Sequence, residues 1–426
     1  MKATYLTLIL CALFILIEVP ISTSIMLGMI ISVLALQPYP METMATLFYH
    51  SLNNYILVAI PLFMLAGLAM SYGGMSRRIF NFSEALVGFL PGSLGAVNVT
   101  TSLIFGGMSG SSAADVAALG SIFIGEMKKG GYSLSYATAL TVAASTMAVI
   151  VPPSLLLIIY ATVAGLSVGT QLMAGLLPGI LVAVAMISYN TALGVKNKWK
   201  NTQPLRMLNI LRTAKYGFIA LMTPVIIMGG ILTGWFTPTE SSAVALVYAL
   251  MVGAVVFREL NIKKIYFLFY HGGRTCGIVA LELAAGLLFA NLMTIEGIPE
   301  ILVQHINAAT SNPVLIMLMI NLVLLLAGCF LNPGFSIIVL TPLLLPLAQG
   351  IGVHPIHFGV IMATNLAIGL LAPPVGICLY LGSVVSGLKV ERIIRALLPF
   401  YVLLILCLII IIYVPFLSMR LVDMMK

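Results

Sequence analysis

The sequence predicts an all-α polytopic membrane protein built as an inverted repeat, with two re-entrant helical hairpins and two transmembrane helices that are broken at Pro-Pro pairs. Three observations support this fold class. Hydrophobic residues make up 61% and charged residues 8% of the 426 residues, whereas soluble domains are about 45–50% apolar and about 25% charged. Lys and Arg cluster between the apolar runs, and the breaks in these runs recur at a fixed interval. The composition excludes a soluble enzyme, a disordered chain and a fibrous protein.

The apolar runs are long enough to be helices and lack the alternation of barrel strands. A transmembrane helix needs about 20 apolar residues, whereas a barrel strand needs about 9–11. The runs lie at 4–36, 52–71, 80–127, 132–166, 171–193, 216–234, 239–257, 273–293, 312–348, 356–388 and 397–419. The five cysteines are scattered and form no cluster with histidine, so we expect no transition-metal site.

The Lys and Arg residues form five clusters between the apolar runs. The clusters lie at 77–78, 128–129, 196–215, 258–264 with Arg274, and 389–395. Cytoplasmic loops collect Lys and Arg, so we place all members of these clusters inside and Arg420 and Lys426 outside. Lys2 stays undecided, because run 4–36 is compatible with one long helix or with two short ones broken at Pro20. The net charge of +8 is thus explained by topology, and no nucleic-acid partner is expected.

This placement identifies the two hairpins. Run 80–127 lies between inside clusters, so it starts and ends inside. Run 312–348 lies between loops without Lys or Arg, so it starts and ends outside. The two hairpins are therefore predicted to enter the membrane from opposite faces, and the C-terminus after run 397–419 is predicted outside.

Landmarks of the two halves recur at one constant interval in the numbering, the interval from Gly107 to Gly328, which we call the repeat offset. At this offset Tyr49-His50 falls on Tyr270-His271, Pro152-Pro153 on Pro373-Pro374, and Leu176-Leu177-Pro178 on Leu397-Leu398-Pro399. Since the charge pattern gives the halves opposite orientations, the chain is predicted to be an inverted repeat. Inverted repeats with broken helices are typical of secondary transporters whose site lies near the membrane midplane.

The predicted organisation has five parts. Scaffold helices and an arm over 1–79 precede the first half of a transport domain over 80–193, with hairpin 80–127, broken helix 132–166 and helix 171–193. A basic cytoplasmic linker over 194–215 leads to the scaffold helices and arm of the second repeat over 216–311. The second half of the transport domain covers 312–426, with hairpin 312–348, broken helix 356–388 and helix 397–419.

Four breaks interrupt the apolar runs of the transport domain. They are Gly106–Asp115 and Gly328–Gly334 at the hairpin tips, and Val151–Ser154 and Ala372–Gly376 in the spans. Tandem prolines cannot continue a helix. Non-helical backbone at membrane depth must be buried in protein or line a wet cavity. Each break frees carbonyls for a cation and creates a helix N-terminus that suits an anion.

Each tip is expected to face a Pro-Pro break and to form a Na⁺ site with it. The first predicted site consists of Ser109, Ser111 and Ser112 with carbonyls of Met147, Val149 and Val151, and the second of Gly328, Asn332, Thr364, Asn365 and Gly369. The substrate is expected to contact Ser109, Pro153, Ser154, Asn332 and Pro374. The histidines lie near segment ends, which favours Na⁺ over H⁺ as the coupling ion, and no other cofactor is expected.

Three acidic residues lie within or beside apolar runs, where charge is costly and usually functional or paired. Asp115 either caps the second half-helix of the first hairpin or contacts the ion or substrate directly. Glu240, in Thr237-Pro238-Thr239-Glu240, is expected to stabilise a helix start. Glu282 is a candidate partner of Arg274.

These residues resemble the large membrane subunit of tripartite ATP-independent periplasmic (TRAP) transporters over nearly the whole chain. The likeness rests on the segments Gly107–Asp115, Thr237–Glu240, Pro342–Gly359 and Asn365–Gly376. It implies an elevator-type, ion-transporter-like importer in a bacterial inner membrane, coupled to Na⁺. It also implies two partners, a periplasmic substrate-binding protein (P-type) and a small four-helix membrane subunit (Q-type).

The resemblance further implies an organic acid as substrate. We expect sialic acid rather than a C4-dicarboxylate, because neutral Asn332 with Ser109 and Ser154 suits a polyhydroxylated acid and neither hairpin embeds an Arg. The family often has Asp where this chain has Asn332, which leaves the ligand role of that position open.

Two alternatives remain at this stage. A stand-alone Na⁺/carboxylate symporter has similar paired hairpins and needs no binding protein. Gly107-Met108-Ser109-Gly110 also matches the pattern of rhomboid-type intramembrane serine proteases. That chemistry needs a His to take the serine proton, and no His lies at the centre of an apolar run. We therefore expect a transporter and not an enzyme.

Overall fold

The computed structural model describes residues 2–53, 55–199, 201–204 and 206–425, and this part of the chain is helical with no strand. The all-α fold class is confirmed. Six of the described helices are long and apolar enough to cross a membrane, or up to eight segments if each sharply bent pair is one span.

The first repeat opens with five scaffold helices. They are α1 (Lys2–Leu16), α2 (Ile21–Leu36), α3 (Met41–Leu52), α4 (Ala59–Tyr72) and α5 (Met75–Val87). Run 4–36 is therefore two short helices, and Pro20 precedes the first residue of α2. Pro20 has no amide N–H with which to continue α1, and directly before α2 it costs that helix no hydrogen bond. Helices α4 and α5 meet at 72°.

The transport half of the first repeat follows. Its helices are α6 (Ser93–Ser109), α7 (Ser112–Lys129), α8 (Leu134–Ala144) with a 3-10 turn (Ser145–Val149), α9 (Leu155–Val163), α10 (Val168–Ala174) and α11 (Leu176–Lys196). The predicted hairpin 80–127 starts too early, because its helices cover only Ser93–Lys129. The preceding residues belong to amphipathic α5, and Pro91 and Gly92, whose φ is +70°, separate the two.

The second repeat follows the first in order, although some helices that are separate in the first repeat are fused in the second. Its helices are α12 (Met207–Leu232), α13 (Pro238–Met251) with a π turn (Val252–Val256), α14 (Ile262–Ile295), α15 (Ile298–Ala309), α16 (Pro313–Phe330), α17 (Pro333–Gly350), α18 (Pro355–Gly369), α19 (Ile377–Ser386), α20 (Val390–Tyr413) and α21 (Phe416–Asp423). Helix α12 begins inside the predicted linker 194–215. Helix α14 begins before the predicted 273, because its polar first turns lower the local hydropathy.

The helices keep the repeat offset. The first residues of α7 and α8, Ser112 and Leu134, correspond at this offset to the first residues of α17 and α18, Pro333 and Pro355. The scaffold departs from this symmetry, since the separate helices α3 and α4 correspond to the single 34-residue helix α14. The repeat is thus closest in the transport domain.

The N-terminus lies beside the end of α14. Glu296 accepts hydrogen bonds from the backbone amides of Ala3 (3.1 Å) and Thr4 (2.8 Å). Burial opposes ionisation of Glu296, but hydrogen bonds to its carboxylate, those from Thr4 and Ala3 among them, outweigh it and lower its pKa to about 2. The N-terminus therefore lies at the opposite end of α14 from the basic cluster 258–264. Lys426 and Lys200 fall outside the described residues.

The core of the protein is the pair of broken helices and the hairpins around them. Every residue of α18 from Ile356 to Gly369 is buried. By contrast, α16 exposes apolar side chains such as Leu315, Leu318 and Leu322. Such an apolar outer surface suits lipid or another membrane subunit.

Candidate transport site

A cavity of about 280 Å³ lies where the two hairpin tips, the two helix breaks and the scaffold meet. The first tip contributes Gly110, Ser111, Ser112 and Ala113, and the second tip contributes Asn332, Pro333 and Gly334. The segments next to the two breaks contribute Val149, Leu155, Leu156, Ile159, Leu370 and Ile377. The scaffold contributes Ile60 and Met64 from α4 and Thr275 and Val279 from α14. Both repeats and both blocks of the fold therefore reach one chamber.

The first tip packs its backbone directly against the first Pro-Pro break. A Cβ on Gly106 would lie 2.6 Å from the Cα of Ala148. Gly110 has a φ of +61°, and its Cβ would meet the carbonyl oxygen of Pro153 at 2.8 Å. Only glycine permits this approach together with the left-handed conformation.

The second tip meets the second break in the same way. A Cβ on Gly369 would lie 2.5 Å from the carbonyl carbon of Gly328. The amide of Val375, just after the second Pro-Pro pair, donates to the carbonyl oxygen of Cys329 at 3.3 Å. The structure thus brings each tip to its own break.

Three predicted ligands serve as helix N-caps. The Ser111 hydroxyl accepts from the amide of Ala114 at 3.4 Å at the start of α7. The Asn332 Oδ1 accepts from the amide of Gly334 at 2.9 Å at the start of α17. The Ser154 hydroxyl caps α9 and donates to the carbonyl oxygen of Val149 at 2.5 Å. These bonds satisfy helix-end amides that would otherwise be unpaired.

The capping role considered for Asp115 is wrong. Ser111 occupies the cap position, whereas Asp115 lies inside α7 and is completely buried. Neither of its carboxyl oxygens has a hydrogen-bond partner among the described residues. A buried carboxyl without partners requires its own explanation.

Ser109 and Ser112 have hydroxyl groups free for a ligand. Both are buried, and neither hydroxyl has a hydrogen-bond partner in the described part of the chain. The carbonyl of Met147, in contrast, already accepts from the amides of Ile150 (3.0 Å) and Val151 (2.8 Å). Of the first predicted Na⁺ set, the hydroxyls of Ser109 and Ser112 are therefore more available than this carbonyl.

The second predicted set contains an oriented amide. The Asn365 Nδ2 donates to the Oδ1 of Asn321 and to the carbonyl oxygen of Ile361, while its own Oδ1 is buried without a partner in the described chain. The Thr364 hydroxyl donates to the carbonyl oxygen of Val360 within its helix. Sequence reasoning missed Asn321, although a single Asn within the apolar α16 was a visible signal.

The substrate set is dispersed by the fold. Asn332 lines the cavity, whereas Ser109, Pro153, Ser154 and Pro374 are not among its lining residues. Ser109 instead packs beneath scaffold helix α4, since a Cβ on Gly67 would lie 3.0 Å from its Cα. No sequence pattern pointed to the scaffold residues of the lining, such as Thr275.

Two further expectations concern acidic residues. Thr237 and Glu240 form a capping box at the start of α13, with the Thr237 amide donating to Glu240 Oε2 at 2.8 Å. This is the helix-start role predicted for Glu240. Glu282 and Arg274, in contrast, form no ion pair in the described part of the chain.

Comparisons with known proteins agree with this architecture. Residues 8–417 match the family model described as "Tripartite ATP-independent periplasmic transporter, DctM component". The chain is 36% identical over 409 residues to the isethionate TRAP transporter permease protein DctMQ of Oleidesulfovibrio alaskensis, covering 96% of this chain. It spans 64% of the length of that relative.

A second relative is the sialic acid TRAP transporter large permease protein SiaM of Vibrio cholerae, which is 37% identical over 351 residues and covered to 82% in both chains. Among solved structures, the chain is similar to the YdaH transporter of Alcanivorax borkumensis, with a TM-score of 0.60, 16% identity and 88% coverage of both chains. At this identity the likeness concerns the fold alone.

Proposed function

Since this chain belongs to the family of DctM components of tripartite ATP-independent periplasmic transporters, we propose that it is the large permease subunit of a Na⁺-coupled importer of an organic acid. Its relatives are transporter permeases and not enzymes, so the serine-protease alternative is wrong. The single observation that carries the proposal is the cavity to which both tips, both breaks and the scaffold contribute.

The cavity suits an organic anion. Helices α7 and α17 both begin at it, and their N-termini carry partial positive charge. The cap bond uses the Oδ1 of Asn332 as an acceptor, which leaves the amide NH₂ as a donor to a ligand. None of the described lining residues is Lys or Arg, so a single acid group is favoured over a grip on two carboxylates.

Sialic acid remains our favoured substrate over a C4-dicarboxylate. Its many hydroxyl groups match the neutral hydroxyl and amide groups of Ser111, Thr275 and Asn332. The relatives are named for sialic acid and for isethionate at similar identity. Identity alone therefore does not select a substrate, and the cavity chemistry is the argument.

Na⁺ is proposed to bind where the tips meet the breaks. The unpartnered hydroxyls of Ser109 and Ser112 and the unpartnered Oδ1 of Asn365 are neutral oxygen ligands in the described structure, which hard cations accept. Ordering of the tips by Na⁺ would complete the neighbouring substrate cavity, and this links the two binding events.

The proposed motion is an elevator. The hairpins and broken helices, α6–α11 and α16–α20, would move as one block against the scaffold. The contact between Gly67 of α4 and Ser109 lies on the boundary between the two blocks.

The proposed assembly follows the family. A periplasmic substrate-binding protein would deliver the acid, and a small four-helix membrane subunit would complete the scaffold. The location would be a bacterial inner membrane, with the basic loops cytoplasmic and the C-terminus periplasmic.

Uptake into proteoliposomes tests the proposed function. The chain would be reconstituted with its small subunit and binding protein, and a panel of labelled sialic, dicarboxylic and sulfonic acids offered with and without an inward Na⁺ gradient. We expect uptake of one class that requires both the gradient and the binding protein. Uptake by this chain alone would instead establish the stand-alone symporter.

The site assignment has its own test. Ser109→Ala combined with Asn332→Ala is expected to weaken the apparent Na⁺ affinity, through Ser109, and the apparent substrate affinity, through Asn332, each at least about tenfold, the effect of losing about 1.4 kcal/mol of binding. Ser121→Ala combined with Asn81→Ala changes the same residue types at exposed positions and serves as the control. Unchanged Na⁺ dependence in the Ser109/Asn332 variant would contradict the assignment.

A further inference from the structure

A second, apolar cleft of about 540 Å³ lies between scaffold helix α12 and the transport domain. Its walls are α5 and α12 on the scaffold side and α6, α10, α11 and the first Pro-Pro break on the other side. None of its described lining residues has a charged, hydroxyl or amide side chain, and none of them also lines the proposed substrate cavity. The cleft is therefore a separate site with a different chemistry.

The cleft has the depth of one membrane leaflet. Along α12 it extends from Leu221 to Leu232, which is about 16 Å at 1.5 Å per residue. Half of a hydrocarbon core of about 30 Å is about 15 Å. The lining also includes Phe82 of the amphipathic α5 and Pro152 of the first break. The cleft thus has the reach of a lipid acyl chain.

The cleft is too small to enclose a helix of another membrane subunit. A helix with its side chains is about 10–12 Å across, so about 16 Å of helix occupies at least about 1,200 Å³. That volume is more than twice the volume of the cleft. A single acyl chain is narrower and flexible, and its burial against apolar side chains is favourable.

The start of α12, which precedes the cleft along the chain, is basic. Arg206 is the N-cap residue of α12, Arg212 and Lys215 follow in its first turns, and all three are exposed. No Asp or Glu occurs over 194–215. Helix α5, which packs against α12, carries two Arg and one Glu, so it adds no net negative charge. Clusters of Lys and Arg beside a membrane span attract anionic lipid headgroups.

The basic segment adjoins the cleft and runs across the direction of the span that follows. Helix α12 bends by 70° between Lys215 and Gly217. The apolar side chains of Leu208 and Leu211 are exposed on the basic segment, and such basic, apolar helices lie in the plane of the membrane interface. A Cβ on Gly217 would lie 4.0 Å from the Cβ of Phe82 in the cleft lining. Headgroup level and cleft therefore meet at this bend.

We propose that this chain binds an anionic phospholipid, with one acyl chain in the cleft and the headgroup phosphate at Arg206, Arg212 and Lys215. Arg and Lys form charge-assisted hydrogen bonds to phosphate, and the absence of acidic residues over 194–215 favours a headgroup with net negative charge. The acyl chain contacts both blocks of the proposed elevator. That last consequence rests on the proposed function, whereas the lipid binding does not.

Thermal unfolding of the purified full chain in detergent tests the headgroup. Dioleoyl phosphatidylglycerol and dioleoyl phosphatidylcholine, which have the same acyl chains, are added in separate titrations. The anionic lipid is expected to raise the unfolding temperature at a concentration at least about tenfold lower than the neutral lipid. Replacing Arg206, Arg212 and Lys215 together by Gln should abolish this difference.

The matched control changes three other exposed basic residues on the same predicted face of the membrane. These are Lys389, Arg392 and Arg395, replaced together by Gln. This variant should keep the preference for the anionic lipid. Equal effects of the two lipids on the wild type would overturn the headgroup assignment, and so would loss of the preference in both triple variants.

The position of the acyl chain is tested by filling the cleft. Val225 lines the cleft and is 56% exposed, so Val225→Trp occupies the cleft without overpacking the core. Val184→Trp on α11, at a position 55% exposed and outside the cleft lining, is the control. Native mass spectrometry after loading with phosphatidylglycerol is expected to show one bound lipid fewer in Val225→Trp than in the wild type and in Val184→Trp.

The same lipid count in all three proteins would overturn the placement of the chain in the cleft. A loss of lipid in Val184→Trp as large as in Val225→Trp would overturn it as well. Both measurements use neither Na⁺ nor substrate, so they decide lipid binding independently of the proposed function.

Discussion

The two hairpin tips share a backbone arrangement but differ in side-chain chemistry. Ser111 and Asn332 correspond at the repeat offset, both are N-caps, and both line the cavity. One helical turn further into each hairpin, Asp115 is matched by Ser336. The comparison teaches that the duplicated backbone sets where ligands can bind, while a few substitutions decide which ligand each half takes.

A second pair of contacts likewise combines a shared position in the fold with different side chains. In the first repeat, Asn98 of α6 donates to the Thr141 hydroxyl of α8 at 2.7 Å. In the second, Asn365 of α18 donates to Asn321 of α16. In each repeat the contact joins the first helix of the hairpin to the broken helix, α6 to α8 and α16 to α18. Only the second contact orients a proposed Na⁺ ligand, Asn365.

The largest effects are expected where a glycine lets each hairpin tip pack closely against its break, at Gly106 and Gly369. Gly369→Ala and Gly106→Ala should each cost ~3 kcal/mol of unfolding free energy, the upper end for overpacking, because the opposing atoms are backbone. Gly125→Ala meets no atom within 4 Å and should be neutral or slightly stabilising. Unfolding temperatures in detergent measure this. A large cost at only one of the two contacts would show that the tips do not share their packing.

The two polar contacts, Asn98–Thr141 and Asn321–Asn365, allow a finer comparison of the two repeats. Asn98→Leu and Asn321→Leu should each cost about 1 kcal/mol, because each removes one buried hydrogen bond. The partners keep a second bond, Thr141 to the carbonyl oxygen of Ala137 and Asn365 to that of Ile361. Only Asn321→Leu should also weaken the apparent Na⁺ affinity, since it removes one of the two bonds that orient Asn365. Unfolding temperatures with and without Na⁺ separate the two effects. An equal loss of Na⁺ affinity in both variants would mean that the two polar contacts have the same role.

The smallest expected effect lies at Glu296, whose counterpart in the first repeat is Met75. The pKa of Glu296 falls from 4.5 to about 2 on folding. Its contribution is therefore present above the unfolded value and is lost as pH falls through about 2. Glu296→Gln should lower stability at neutral pH by less than about 1 kcal/mol, since the group is partly exposed and screened.

Acid titration of the unfolding temperature checks this prediction. The wild type should lose its advantage over Glu296→Gln as pH approaches 2. A difference that stays constant down to that pH would mean that the hydrogen bonds to Ala3 and Thr4 do not depend on the charge.

Much of the fold was visible in the sequence because prolines and glycines act locally. Both hairpin tips and both breaks could be aligned at the repeat offset, from Gly107 with Gly328 and from the two Pro-Pro pairs. The start of the first hairpin was not visible, because hydropathy does not separate the amphipathic α5 from α6. The early start of α14 was missed for the opposite reason, because its polar first turns lower the local hydropathy.

The candidate site was less predictable, because it depends on which atoms are already hydrogen-bonded. A serine-rich tip does not reveal that Ser111 is the cap, or that Asp115 lies one turn inside the helix without a partner among the described residues. The role of Asn321 required knowing which helix α16 faces. Such facts arise from packing between elements far apart in the chain.

The chamber between the tips has one property with a thermodynamic consequence. None of the described residues that line it carries a formal charge, so these residues supply no fixed counter-ion there. An anion entering alone would bring an uncompensated charge into a medium of low dielectric constant, at high free-energy cost. Entry together with a cation keeps the chamber near electroneutral. For the proposed symport, charge balance itself would then disfavour movement of the anion without the cation. Strict coupling would not need a separate conformational block against uncoupled transport.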